Sequence, residues 1–212
     1  FHRRRLLIAC AATASLAAMF KAPIAALIFA VEIIMIDLTA ASLVPLIFAS
    51  LASLLTAYFL IEGEDILAVT ELAPFAVNRL PFYIALGLFA GLGSVIFTRL
   101  YLLSSRAISR FKKPLTRILV SGVIVGWAVA SFPSLYGEGY EVVNSLFMGY
   151  SDDLSNELIP LKNAQGLALI GVLLIAWALK PFLTGLTVGA GGVAGVFAPA
   201  LFGGALLGYI FA

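Results

Sequence analysis

The chain has 212 residues, of which 62% are hydrophobic and only 11% charged, with a mean hydropathy of +1.10. A soluble domain of this length needs far more polar surface, so a soluble fold is excluded. The net charge of +2 carries no sign of a nucleic-acid partner, and one Cys and one His leave no disulfide and no catalytic or metal constellation to build. An enzyme is therefore not expected, and neither is a cofactor or a metal.

The first apolar block runs from about Leu6 to Phe20 behind the basic residues His2 to Arg5, and it is rich in the Ala that lets helices approach closely. Lys21-Ala22-Pro23 breaks it, and Pro23 suits the first turn of a new helix reaching Glu32. Ten residues span roughly 15 Å, too short for a hydrocarbon core of about 30 Å. Short, broken helices of this kind belong to channels and transporters. A third block, about Leu38 to Ile61, is long enough to cross, and a polar segment with Glu62, Glu64, Asp65 and Glu71 follows it.

Block four, about Leu80 to Phe111, exceeds a simple span and must tilt or protrude. Block five covers about Leu115 to Ser131 and stops at Pro133. The mixed stretch Tyr136 to Asn163 has room for one short helix. Block six covers about Ala164 to Leu183, and a glycine-rich break at Gly189 to Gly195 precedes a last helix from about Val196. The basic residues Arg3 to Arg5 and Arg99 to Arg117 place their loops on the cytoplasmic side, so the acidic segments 62–71 and 138–157 fall on the other. The chain begins at Phe1 and is still apolar at Ala212, which reads as an internal portion of a longer protein.

The break from Gly189 to Pro199 holds the most information. Its glycines permit backbone shapes closed to other residues. Pro199, early in the next helix, gives up an N–H that is unpaired there anyway. A helix starting near Val196 presents unsatisfied N–H groups and the positive end of its dipole. At membrane depth an anion serves both, and it binds without a full positive charge, which lets it leave again. A glycine-rich turn that only permits tight packing accounts for the same residues.

Three motifs in order resemble the CLC family of chloride channels and chloride/proton exchangers. Gly195-Val196-Phe197-Ala198-Pro199 matches its G-x-F-A-P helix start. Ala18-Met19-Phe20-Lys21-Ala22-Pro23 with Phe29 and Glu32 matches A-x-F-x-A-P…F-x-x-E, and Gly137-Glu138-Gly139-Tyr140 matches G-x-G-[YF]. The resemblance covers essentially the whole chain. It implies an all-α membrane protein, a bundle of tilted, broken and partly spanning helices built from two inverted halves. Residues 1–75 would end the first half and 76–212 begin the second.

The resemblance further implies chloride or a similar small anion as cargo, bound by backbone N–H groups at Gly195, Val196 and Phe197. It implies a homodimer whose interface takes the helices Pro23–Glu32 and Leu43–Leu60, seated among lipid in a bacterial cytoplasmic membrane. The family's serine loop and the loop with its gating glutamate would lie before Phe1. In many exchangers of the family a second acid follows the glutamate matching Glu32, and here that place holds Ile33. A passive anion channel, or an exchanger with a water-mediated proton route, is the expectation. Glu32 stands as either an internal carboxylate for protons or a structural one at a helix end.

Two other readings use the same residues. A secondary transporter of an organic solute also uses broken helices, but charges within the spans are few beyond Glu32, Asp37 and Lys180. A membrane scaffold would have unbroken spans. Lys180 is expected to snorkel to the interface from the end of block six. Trp127, Trp177, Tyr140 and Tyr150 are expected as interface or packing aromatics.

Overall fold

The computed structural model describes residues 2–34, 39–60, 76–148, 167–193 and 195–212. Asp37, the acidic segment 62–71 and the stretch 149–166, with Tyr150, lie outside the described residues. Within them the chain is helical, with no strand. It divides into two compact units, residues 1–68 and 69–212.

The first unit holds α1 (His2–Phe20), α2 (Pro23–Ile34) and α3 (Ala40–Leu60). The break after α1 lies where the sequence puts it. Lys21 has φ +50°, a left-handed conformation uncommon outside glycine. Ala26 N–H then donates to Ala22 O at 3.0 Å, and Pro23 takes the first position of α2. All three helices pack on one another, and the contacts use small side chains. Ala9 and Ala17 on α1 and Ala26 and Ala30 on α2 are buried, and Leu46 of α3 joins Ala9 in the core. Short side chains bring helix backbones close, which is the main packing device where lipid removes the hydrophobic drive between helices.

The second unit holds α4 (Leu80–Ser109), α5 (Pro114–Ser131), α6 (Tyr140–Met148), α7 (Leu167–Gly189) and α8 (Phe197–Phe211). Short 3₁₀ turns at Val77–Arg79 and Pro133–Leu135 lead into α4 and follow α5. The closest pair is α4 with α7. A Cβ on Gly189 would lie 2.6 Å from Ser105 O, and one on Gly185 would collide with Ser104 and the Tyr101 carbonyl. Gly185 and Gly189, four apart, thus present one bare stripe to the backbone of α4. Further along, Trp177 of α7 is buried against Gly93 of α4 and Gly203 of α8.

The α7 helix differs from its expected end near Leu183. It runs six residues further, to Gly189, and carries Pro181 inside it. Proline removes one N–H from a helix, and neighbouring hydroxyls steady the turn beyond it. Thr184 Oγ1 donates to Lys180 O at 2.8 Å and Thr187 Oγ1 to Leu183 O at 3.0 Å.

Among the described residues, four helical segments are long and apolar enough to cross a membrane: Ala41–Leu60, Val77–Ser109, Pro114–Ser131 and Ala168–Gly189. The apolar segments Pro23–Ile33 and Phe197–Phe211 are shorter. This mix of long and half-length apolar helices is that of an all-α membrane protein.

Candidate functional site

The glycine break is built from the end of α7 and the start of α8. At the end of α7, Gly192 N–H donates to Thr187 O at 2.9 Å and Gly191 N–H to Val188 O at 3.0 Å. This nested pair is a Schellman motif, which requires a left-handed residue just past the helix. Gly191 supplies it with φ +103°. The α-carbon of Gly192 lies so close to Thr187 that an added Cβ would sit 2.9 Å from that residue's carbonyl oxygen. The turn therefore fixes glycine at 191 for conformation and at 192 for room.

Val196 is the residue before α8, and no side chain caps the helix there. The first intrahelical bond runs from Ala200 N–H to Val196 O at 3.0 Å. Pro199, third in the helix, is buried and brings no donor. The positive end of the α8 dipole thus faces outward over Gly195, Val196 and Phe197, all exposed among the described residues. Gly195 itself is not held to glycine by a close approach. A Cβ there would meet nothing within 4 Å among the described residues. The constraint sits at Gly191 and Gly192 instead.

A cavity of about 570 Å³ lies beside the α7 end of the break. Its walls include Ser121, Gly122 and Gly126 of α5 together with Thr187, Gly191 and Gly192. Its surface is mostly apolar, and two of its hydroxyls are already used by their own helices: Ser121 Oγ donates to Arg117 O at 2.7 Å, and Thr187 Oγ1 to Leu183 O. Gly195, Val196 and Phe197 do not line it, so the cavity and the α8 start are separate features.

The G-x-G-Y element forms the approach to α6. Gly137 has φ +59° and Gly139 φ +83°. Gly139 lies against Phe202 of α8, where an added Cβ would be 2.6 Å from the ring. Burial and the neighbouring Glu138 push the Tyr140 phenol above its ordinary range, so it stays protonated at neutral pH.

Lys180 does not snorkel. It is 3% exposed, and its ammonium donates to Leu135 O at 3.1 Å and to Gly137 O at 2.8 Å. The same nitrogen stands 5.0 Å from the centre of the Phe202 ring. Sequence reasoning placed Lys180 at a helix end, but α7 continues for nine residues beyond it. A lysine in an apolar block followed directly by Pro181 was the available signal for an interior position.

In the first unit, Glu32 and Ile33 are both exposed in the last turn of α2. Trp177 is a packing aromatic, whereas Trp127 is 71% exposed. Among the described residues no group of three His, Cys, Asp or Glu side chains comes together.

The family model described as "Voltage gated chloride channel" matches residues 2–212. A voltage-gated ClC-type chloride channel ClcB of Citrobacter koseri is 30% identical over 209 residues, covering 98% of this chain and 46% of the relative. A putative chloride channel protein ClcB-like of Ralstonia nicotianae is 31% identical over 209 residues, covering 98% of the chain and 44% of the relative. ClcB of Salmonella typhimurium is 30% identical over 206 residues, with 96% and 45% covered. The chain thus spans about half the length of the curated relatives it matches.

Proposed function

Because this chain belongs to the voltage gated chloride channel family, we propose that its protein carries chloride or a similar small anion across a membrane, with backbone N–H groups at Gly195, Val196 and Phe197 forming part of the anion site. The observation that carries this reading is the uncapped start of α8, held in place by the glycine turn at Gly191 and Gly192. A dehydrated anion there meets oriented dipoles and amide donors without a fixed counter-charge, so binding is weak enough for passage. The family leaves the organic-solute reading without support.

Residues 1–75 are assigned to the end of the first inverted half and 76–212 to the start of the second. A homodimer in a bacterial cytoplasmic membrane completes the proposal. The outward apolar side chains Ile24 and Ile28 of α2 and Phe48, Leu55 and Phe59 of α3 are exposed and suit a second subunit or lipid. Cysteine pairs at positions 28 and 48 of the full-length protein are expected to crosslink two subunits. Crosslinking confined to residues on α7 would contradict that interface.

Proton coupling is the second part of the reading. Ile33 cannot titrate, so the proposal is passive anion conduction or a water-mediated proton route, with Glu32 structural. The test is a full-length preparation in liposomes under a chloride gradient, with external pH recorded. Chloride should move, and Glu32→Gln should leave any proton flux unchanged. Uphill proton movement that vanishes in Glu32→Gln would make Glu32 the proton carrier instead, and an absence of chloride flux would sink the anion reading.

A further inference from the structure

Lys180 is the buried charge that the anion reading leaves unused. An ammonium removed from water is costly unless hydrogen-bonded, so its partners identify what it holds. They are the carbonyls of Leu135 and Gly137, on the turn before α6, and the face of Phe202 on α8. Glu138 adds a negative charge nearby. Hydrogen bonds from a cation to carbonyl oxygens are stronger than neutral ones, and an aromatic face over a desolvated cation adds to them.

The turn meets the ammonium through its glycines. The left-handed conformations of Gly137 and Gly139 bend the chain so that the Gly137 carbonyl reaches Nζ while the Gly139 α-carbon rests on Phe202. Phe202 is completely buried between these groups. It lies five residues after Phe197, about 7.5 Å along a rigid helix. The rotation and height of α8 are therefore set at Phe202, and the N–H groups at its start follow. Lys180 also belongs to α7, whose far end makes the Gly191 turn leading into the same helix start.

We propose that Lys180 is a positioning residue: its buried ammonium clamps the Gly137–Gly139 turn onto Phe202 and thereby fixes the start of α8, where the anion binds. The proposal rests on the anion reading for its functional consequence. A merely structural lysine would act on overall stability. Removing the ammonium leaves the Leu135 and Gly137 carbonyls without their donor and lowers stability in either role, so chloride affinity measured well below the melting midpoint separates the two roles.

The test compares Lys180→Met and Lys180→Arg in the full-length purified protein, by chloride calorimetry, thermal unfolding and hydrogen exchange at residues 197–201. Lys180→Met is expected to lower the melting midpoint yet stay folded at the assay temperature, and to weaken chloride binding about tenfold, as loss of a charged hydrogen bond would. Exchange at the α8 start should quicken. Lys180→Arg, which keeps the donors, should bind within about threefold of the parent protein. Wild-type affinity in Lys180→Met, or an arginine variant no better than methionine, overturns the proposal. If the methionine variant does not accumulate, the arginine variant decides alone: retained binding supports the clamp and lost binding overturns it. If the parent protein binds no chloride, the anion reading fails separately. Hydrogen exchange then decides the clamp, with unchanged exchange in Lys180→Met overturning it.

Discussion

Gly185→Val and Gly189→Val are each expected to prevent the second unit from assembling, with losses of about 3–5 kcal/mol, while Gly171→Val on the same helix is tolerated. The three changes are chemically identical and differ only in what the new side chain meets. At Gly171 there is nothing within 4 Å among the described residues. At Gly185 and Gly189 the obstacle is the α4 backbone around Tyr101 and Ser105. A side chain in the way can rotate, but a helix carbonyl cannot, so α4 and α7 would have to separate. Separation would also undo the packing of Trp177 on Gly93 of α4. The check is the yield of monodisperse full-length protein and its melting midpoint. Equal behaviour of Gly171→Val and Gly185→Val would show that the α4–α7 crossing is looser than described.

Gly191→Val is expected to spare folding and abolish chloride flux, leaving less than about a tenth of the parent rate. Valine at φ +103° costs about 1–3 kcal/mol of backbone strain. That is enough to open a two-bond turn but small beside the α4–α7 packing. Once the bonds from Gly191 to Val188 and from Gly192 to Thr187 are lost, the turn that sets the path from α7 toward Val196 is gone. Gly191→Asn should be milder, since asparagine tolerates left-handed positions at helix ends. Gly195→Ala is the contrast, with no clash among the described residues, and should retain most of the flux. Chloride efflux from liposomes, measured for the three variants beside the parent, gives the ranking. Gly191→Val at parental rate would remove the turn from the account.

The order of helices was legible in the sequence because its punctuation is strong. Pro23, Pro114, Pro133 and the glycine run all mark element ends within a few residues of where they fall. The expected helix start near Val196 lies one residue from that of α8. The last six residues of α7 were not legible: the apolar block ends near Leu183 in the sequence, whereas the helix ends at Gly189. The Thr184 and Thr187 hydroxyls and the α4 contact carry the helix on. Which glycine matters in the break could not be read either. Composition makes 189, 191, 192 and 195 equivalent, and only φ and the neighbouring atoms distinguish them. Lys180 is the clearest case. A lysine's partners there are two carbonyls more than forty residues away in sequence and one ring on a later helix, a set that no local pattern encodes.

The central claim is that an anion sits on the amides at the start of α8. Crystals of the full-length protein grown in bromide, recorded at the bromine absorption edge, test it most directly. The account predicts an anomalous peak within about 3.5 Å of the Val196 or Phe197 nitrogen, weakened or lost in Gly191→Val. A well-occupied bromide elsewhere along the pathway, with none at the α8 start, would contradict it.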